Sequence, residues 1–481
     1  MPPTTLTPAI RDEIARLGRA DIMVGIPSFK NAATIGYVVR AAHAGLVQYF
    51  PDHKPVLVNS DAGSSDGTQR VVIETEPPDY VESILLVRPT NKLDRVTLTY
   101  PEIDGVGGKG AALRTIFEIA AALEVQALVV VDSDLRSIVP EWIELLAGPI
   151  LKGGYDFVAP LYARYKYDGT ITNTVTYPLT RALYGHRIRQ PIGGDFGVSG
   201  DLVAHYLAQD DWTPDISKFG IDIWMTTSAL TGGFAVCQTR LGAKVHDPKD
   251  PGADLGPMFR QVVGTILRLA AAHPDAWIDV KGSHDVPAYG FERIIDPPPL
   301  EVNAIRLLAE FHGGSLALAD TWRRMLEPAT VDAVLTLAVE AGKLADAASH
   351  KLGIGGENDS GRATTAEMAE ALAGFHFPDD LWARAIYDLV IATRRGGVDI
   401  AALVAALVPI YFGRVGSFVV ENRHVDTADA EERVERQARE FELLKPYLVE
   451  RWRALDAADA ASAKAADVDV YADPTFGSPG Q

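Results

Sequence analysis

Ala127-Leu128-Val129-Val130-Val131 is an uninterrupted apolar run, and it ends on Asp132-Ser133-Asp134. A short β-branched run of this kind reads as a buried strand. In open α/β sheets, ligands collect at the carboxyl ends of the strands. Residues i and i+2 of an extended chain point the same way, so both carboxylates can address one ligand. Hard oxygen donors so arranged suit Mg2+ or Mn2+ shared with substrate phosphates. The competing reading is a solvated turn at a strand end.

The surrounding sequence repeats the alternation. Strands are expected at 22–26, 55–59, 84–87 and 155–159, with further β character over 232–245. Helices are expected at 32–44 (closed by Gly45), from 68 to 74, and at 111–123. Strands alternating with helices imply an α/β fold with a mostly parallel sheet and right-handed crossovers. Asp296-Pro297-Pro298-Pro299 breaks the pattern and reads as a linker. Beyond it the periodicity is helical, with Val331, Val334, Leu335, Ala338 and Val339 on one stripe. Thr364 and Glu367 form a capping box. Residues 353–361 read as a mobile loop and 427–455 as a long charged helix. The expected division is an α/β domain over 1–290, an all-α region over 291–455, and a flexible tail over 456–481.

Composition narrows the function. The net charge is −19 and no large basic block occurs, which argues against nucleic-acid binding by phosphate neutralisation. A lone cysteine, Cys237, excludes an intramolecular disulfide and a multi-cysteine zinc site. Residues 1–19 do not read as a signal peptide, and the apolar stretch 400–412 falls short of the ~20 residues that span a bilayer. A cytoplasmic enzyme without a membrane partner is expected.

Several other groups are placed to join the Asp-Ser-Asp motif. Gly105-Val106-Gly107-Gly108-Lys109-Gly110 opens a helix, where close backbone approach and a helix N-terminus favour an anion. It lacks the P-loop spacing. Pro27-Ser28-Phe29-Lys30-Asn31 and Asp61-Ala62-Gly63-Ser64 follow the first two strands. Arg164, Asp168 and Thr172 recur every four residues, a helical-face spacing that Tyr165, Tyr167 and Gly169 weaken. Gln190-Pro191-Ile192-Gly193-Gly194-Asp195 offers exposed amides and one acid. Asp222 lies in an apolar segment and needs a partner or a role. His246 opens a charged, turn-rich segment through Gly256 that reads as a lid, and imidazole can share a metal with a carboxylate.

These blocks, in this order over roughly residues 20 to 265, resemble the retaining GT-A glycosyltransferases that make mannosylglycerate, glucosylglycerate and glucosyl-3-phosphoglycerate. The helical region is similar to that of mannosylglycerate synthases. The resemblance implies a GT-A, Rossmann-like nucleotide-sugar domain with a mixed, mostly parallel sheet. It implies Pro27, Lys30, Asp61, Lys109, Asp132 and Ser133 at the nucleotide, and Asp134 and His246 on Mg2+ or Mn2+. Gly193, Gly194, Asp195 and Asp222 would face the donor sugar, with the two glycines also bordering the acceptor. Asp222, Asp195 and Lys109 would carry the catalysis. Arg164, Asp168 and Thr172 would hold D-glycerate; with 3-phosphoglycerate, Arg181, Arg187 or Arg189 would supply a phosphate site. The donor would be a GDP- or UDP-hexose, the product a compatible solute, and the enzyme a homo-oligomer. Two positions depart from the pattern: Asp195 replaces a glutamate, and Ala32 stands where some members carry an acid.

Overall fold

The structure, a computed structural model, describes residues 4–75, 82–87, 108–245, 256–292, 297–354 and 363–470. Its strands are β1 (Ile22–Ser28), β2 (Pro55–Asp61), β3 (Glu82–Val87), β4 (Ala127–Val130), β5 (Phe157–Ala163), β6 (His186–Arg187), β7 (Phe196–Ser199), β8 (Val236–Ala243), β9 (His284–Asp285) and β10 (Ala288–Tyr289). Eight of them form one sheet in the order β10-β8-β5-β7-β4-β1-β2-β3, while β6 and β9 pair separately. Every pairing in the large sheet is parallel except those of β7, which runs against both β4 and β5. The expected mixed, mostly parallel α/β sheet is therefore present. All residues of β1, β2 and β4 are buried, as continuous apolar strands of a sheet covered on both faces require.

Helices α1 (Pro8–Leu17), α2 (Ile35–Tyr49), α3 (Thr68–Glu74), α4 (Lys109–Ala122), α5 (Glu141–Gly153), α6 (Tyr177–Tyr184), α7 (Gly200–Ala208), α8 (Ile221–Thr231) and α9 (Gly256–Ala272) accompany the sheet. One apolar core lies under α4, α7 and α8, and a second under α2 and α5. Gly45, expected to stop a helix, lies inside α2. A Cβ there would come within 2.5 Å of the Pro140 carbonyl and 2.6 Å of Ile143, so this glycine serves the close approach of α2 to the start of α5.

The second half contains α10 (Ala304–Met325), α11 (Pro328–Leu352), α12 (Thr365–Ala371), α13 (Asp379–Arg395), α14 (Ile400–Glu421) and α15 (Thr427–Val470). The capping box at Thr364 and Glu367 forms as expected. On the α11 stripe Val331, Val334 and Ala338 are buried, whereas Val339 is 45% exposed. Helix α14 is long and apolar enough to cross a membrane, but 78% of its apolar window is buried inside the fold. The expected end of the last helix near 455 is passed, and α15 continues to Val470. Its final stretch is alanine-rich, and alanine is the strongest helix former. The helical core also takes in Tyr167, Ile171, the apolar face of α6 and much of α9, so packing crosses the linker at 297–299. The segments 246–255 and 355–362, which hold the expected lid and most of the expected mobile loop, lie outside the described residues.

Candidate active site

The sheet topology explains which residues meet. Parallel β4, β5 and β8 all end at one edge, so the residues following them are delivered together. Asp132 follows β4 by two residues. Arg164 and Lys244 directly follow the paired terminal residues Ala163 of β5 and Ala243 of β8. Because β7 is antiparallel, its beginning lies at this same edge, with Phe196 opposite Val130. That reversal carries Gly193, Gly194 and Asp195 to the Asp-Ser-Asp motif. A cleft of about 830 Å³ opens here, bordered among others by Pro27, Lys109, Asp132, Asp134, Asp222 and Lys244.

A continuous charge lattice forms its floor. Lys109 Nζ lies 2.8 Å from Asp132 Oδ1 and 3.0 Å from Asp222 Oδ1. Lys244 Nζ lies 2.7 Å from Asp132 Oδ2 and 2.9 Å from Asp195 Oδ2, and donates to the Gly193 carbonyl at 2.8 Å. Asp195 Oδ1 accepts the Asp132 amide at 2.7 Å, and its Oδ2 also accepts the Tyr162 hydroxyl. Gly194 adopts φ +91°, and a Cβ there would meet Asp132 Oδ2 at 2.2 Å; only glycine lets the chain pass over this carboxylate.

Burial opposes charge on both lysines, yet their carboxylate neighbours outweigh it and hold both above the ordinary lysine value. Burial would likewise raise Asp132, but Lys109 and Lys244 hold it well below the usual carboxylate range. Asp195 and Asp222 are raised, first by burial and further by the negative charge of Asp132, with the lysines opposing. Two cations thus share three acids. Both ammoniums border the cleft.

The sequence candidates divide clearly. Pro27, Lys109, Asp132, Ser133, Asp134, Arg164, Asp168, Thr172, Gly193, Gly194 and Asp222 border the cleft. Lys30, Asp61 and Asp195 do not. Lys30 takes a left-handed backbone, φ 56°, and its amide donates to Ser64 Oγ. Asp61 is fully buried, accepting from Ser28, Gly63, Ser64 and Gln69; it shapes the turn after β2 from beneath. Asp195, expected to face the sugar, is also fully buried and anchors Lys244. His246 lies outside the described residues, as do Gly105 and Gly107. The start of α4 is not an open anion cradle, because the amides of Gly110 and Ala111 donate to the carbonyls of Lys218 and Ser217. The side chain of Lys109, rather than the helix end, carries the charge into the cleft.

Arg164, Asp168 and Thr172 share the cleft wall without sharing a helix. Arg164 leaves β5, Asp168 sits in a turn, and Thr172 opens a short π-helical segment, Thr172–Thr176. Arg164 Nη1 donates to Asp168 Oδ2 at 3.1 Å. Arg181, Arg187 and Arg189 are held elsewhere, pairing with Glu435 and Glu442, with Asp285, and with Glu431 respectively. None borders the cleft. Asp134 is half-buried in the cleft wall, and no hydrogen bond or ion pair reaches its carboxylate from the described residues. Its oxygens fit a hard divalent cation, though no cluster of three or more metal-binding side chains occurs among the described residues. The sequence reading missed Lys244 and Tyr162. Lys244 lay hidden in a run read as strand through Val245; its position directly after the strand, like that of Arg164, was the available signal.

The glucosyl-3-phosphoglycerate synthase of Petrotoga mobilis is 23% identical over 261 residues, covering 51% of this chain and 72% of that relative. The chain is thus similar to a member of this glycosyltransferase group. Among solved structures, glucosyl-3-phosphoglycerate synthase from Mycobacterium tuberculosis with Mg2+ and UDP aligns at TM-score 0.39 and 25% identity, covering 56% of this chain and 85% of the other. The same enzyme with Mn2+, UDP-glucose and phosphoglyceric acid aligns at TM-score 0.38 and 26% identity, covering 53% and 83%. No family profile matches the chain.

Proposed function

We propose that this glycosyltransferase moves glucose or mannose from a nucleoside-diphosphate sugar to D-glycerate, with retention at the anomeric carbon. The observation that carries the reading is Arg164: it holds Asp168 through Nη1, while its buried Nε has no hydrogen-bond partner among the described residues. A planar cation with an unused N–H, beside a carboxylate and the Thr172 hydroxyl, suits an acceptor with one carboxylate and two hydroxyls.

In this reading Lys109 and Lys244 receive the charge that develops on the departing diphosphate. Asp132 keeps both ammoniums in position, so little reorganisation is needed when that charge appears. Asp222, next to Lys109, orients the sugar and stabilises positive character at the anomeric carbon. The acceptor hydroxyl attacks from the face the diphosphate leaves. Asp134 would hold Mg2+ or Mn2+, with His246 as its expected partner; such an ion supplies Lewis-acid neutralisation of the diphosphate.

A second acceptor, 3-phosphoglycerate, is favoured by the name of the Petrotoga relative and by Lys218. That lysine borders the cleft with no ion pair among the described residues. The test is a grid of GDP- and UDP-hexoses against both acceptors with Mg2+, reading nucleoside diphosphate release and the product anomer by NMR. Release that requires D-glycerate and retains configuration supports the first reading. Release with 3-phosphoglycerate alone transfers the assignment to the second, and an inverted product refutes retention.

A further inference from the structure

The segment that carries the acceptor candidates is held less by the sheet domain than by the helical half. Lys166 Nζ donates to the carbonyls of Asn422 and Val425, at 2.8 and 2.7 Å, just beyond the end of α14. A cation suits that place, because the last carbonyls of a helix lack partners and carry its negative pole. Tyr167 donates its hydroxyl to the Val419 carbonyl at 3.3 Å. Thr170 Oγ1 and Tyr411 Oη share a hydrogen bond of 2.6 Å, both groups buried. Farther along, Trp382 Nε1 donates to the Thr174 carbonyl at 2.7 Å, and Gln437 Nε2 to that of Asn173 at 2.9 Å. These ties come from α13, α14 and α15, and they bracket Asp168 and Thr172 on both sides. The turn at 166–169 and the π-helical segment are not regular elements that would hold their shape unaided. Lys166 and Thr170 hydrogen-bond toward α14 and the residues just beyond it, while Tyr167, Asp168, Gly169 and Thr170 border the cleft.

We propose that Lys166 and Tyr411 are positioning residues, through which the helical half sets the shape of the acceptor-binding segment and hence acceptor affinity. The proposal rests on the reading that Arg164, Asp168 and Thr172 meet the acceptor. Helix α14 acts as a template: its carboxyl end fixes the turn before Asp168, and Tyr411 fixes Thr170, where the helical stretch carrying Thr172 begins. Neither residue has to touch substrate. The donor-side lattice of Lys109, Asp132, Asp222 and Lys244 shares no hydrogen bond with these ties, so donor use is separable from them.

The test uses the full chain and steady-state kinetics on Lys166→Met, Lys166→Arg, Tyr411→Phe and Arg164→Ala, with acceptor-free hydrolysis of the sugar nucleotide as a donor-only readout. Lys166→Met and Tyr411→Phe should each raise the acceptor KM about tenfold, the scale of losing one strong hydrogen bond. Donor KM and acceptor-free hydrolysis should stay within about twofold, and Lys166→Arg should restore most of the acceptor KM. A merely structural role would instead lower the folded fraction and all activities together, with no split, and would overturn the proposal. If Arg164→Ala raises the acceptor KM while the Lys166 and Tyr411 variants leave it unchanged, the proposal fails and the acceptor assignment survives. If Arg164→Ala has no effect but Lys166→Met raises the acceptor KM, the helical template stands and the acceptor contact lies elsewhere on the segment. If no variant changes it, both fall.

Discussion

Replacing Lys244 by methionine should expose how the charge lattice is balanced. Lys244 is 5% exposed and Asp195 is fully buried, 2.9 Å away. The variant keeps the side-chain length but strands Asp195 with only the Tyr162 hydroxyl and the Asp132 amide. Breaking a buried pair by removing one partner costs about 3–5 kcal/mol, because the remaining charge is uncompensated. Asp195 already titrates above the ordinary carboxylate value, chiefly through burial, and losing Lys244 raises it further. A carboxyl group raised in the folded state contributes its stability at low pH, and that stability is lost as pH rises through the folded value. The cost of Lys244→Met should therefore be near 3–5 kcal/mol at pH 8 and smaller at pH 5, where a raised carboxyl group carries less charge. Urea unfolding at the two pH values measures this. The double variant with Asp195→Asn should recover about 2 kcal/mol or more at pH 8, since a neutral amide needs no counter-charge. Equal destabilisation at both pH values, or strictly additive effects of the two substitutions, would refute the reasoning.

Asp222→Asn should lower kcat by about 10²–10³ with little change in the KM values, because it removes charge next to the reacting centre; steady-state kinetics decide. Gly110→Ala should destabilise the fold by about 3 kcal/mol or prevent folding, since a Cβ would sit 1.8 Å from the Ile216 carbonyl; denaturant titration or loss of soluble protein reports it. His43 is 4% exposed, neither ring nitrogen has a hydrogen-bond partner among the described residues, and burial lowers its pKa to about 4. Stability from keeping it neutral is present above its unfolded value and lost as pH falls toward about 4, so wild type should lose about 2 kcal/mol between pH 8 and pH 5 from this group alone. His43→Leu should remove that part of the acid sensitivity, measured as the difference between urea midpoints at the two pH values.

Much of the site was legible because strand ends are. An apolar run that stops on Asp132 marks the edge of the sheet, and Lys109 at a helix start is tied to that edge by chain direction alone. What could not be read was topology. Nothing in Phe196–Ser199 announces that this strand runs backwards, yet that reversal is what buries Asp195 and brings Gly194 over Asp132. Lys244 escaped because the β-rich run was read through to Val245, which hid the strand end at Ala243. Gly45 misled because a glycine needed for close helix packing looks like one that ends a helix. Arg164, Asp168 and Thr172 do reach one wall, through a turn and a π-helical segment, in line with the doubt that Tyr165, Tyr167 and Gly169 cast on a helical face. The helical region showed no chemistry of its own in sequence, because its contacts with residues 166–174 run through backbone carbonyls and ordinary tyrosine, tryptophan and glutamine side chains.

The most direct measurement is nucleoside diphosphate release from UDP-glucose or a GDP-hexose by wild type and Asp134→Ala, with Mg2+, with and without D-glycerate. Wild type should release the diphosphate in proportion to glycerate consumed, and the variant should release almost none. No glycerate-dependent release across the donors, or undiminished release by Asp134→Ala, would contradict the account.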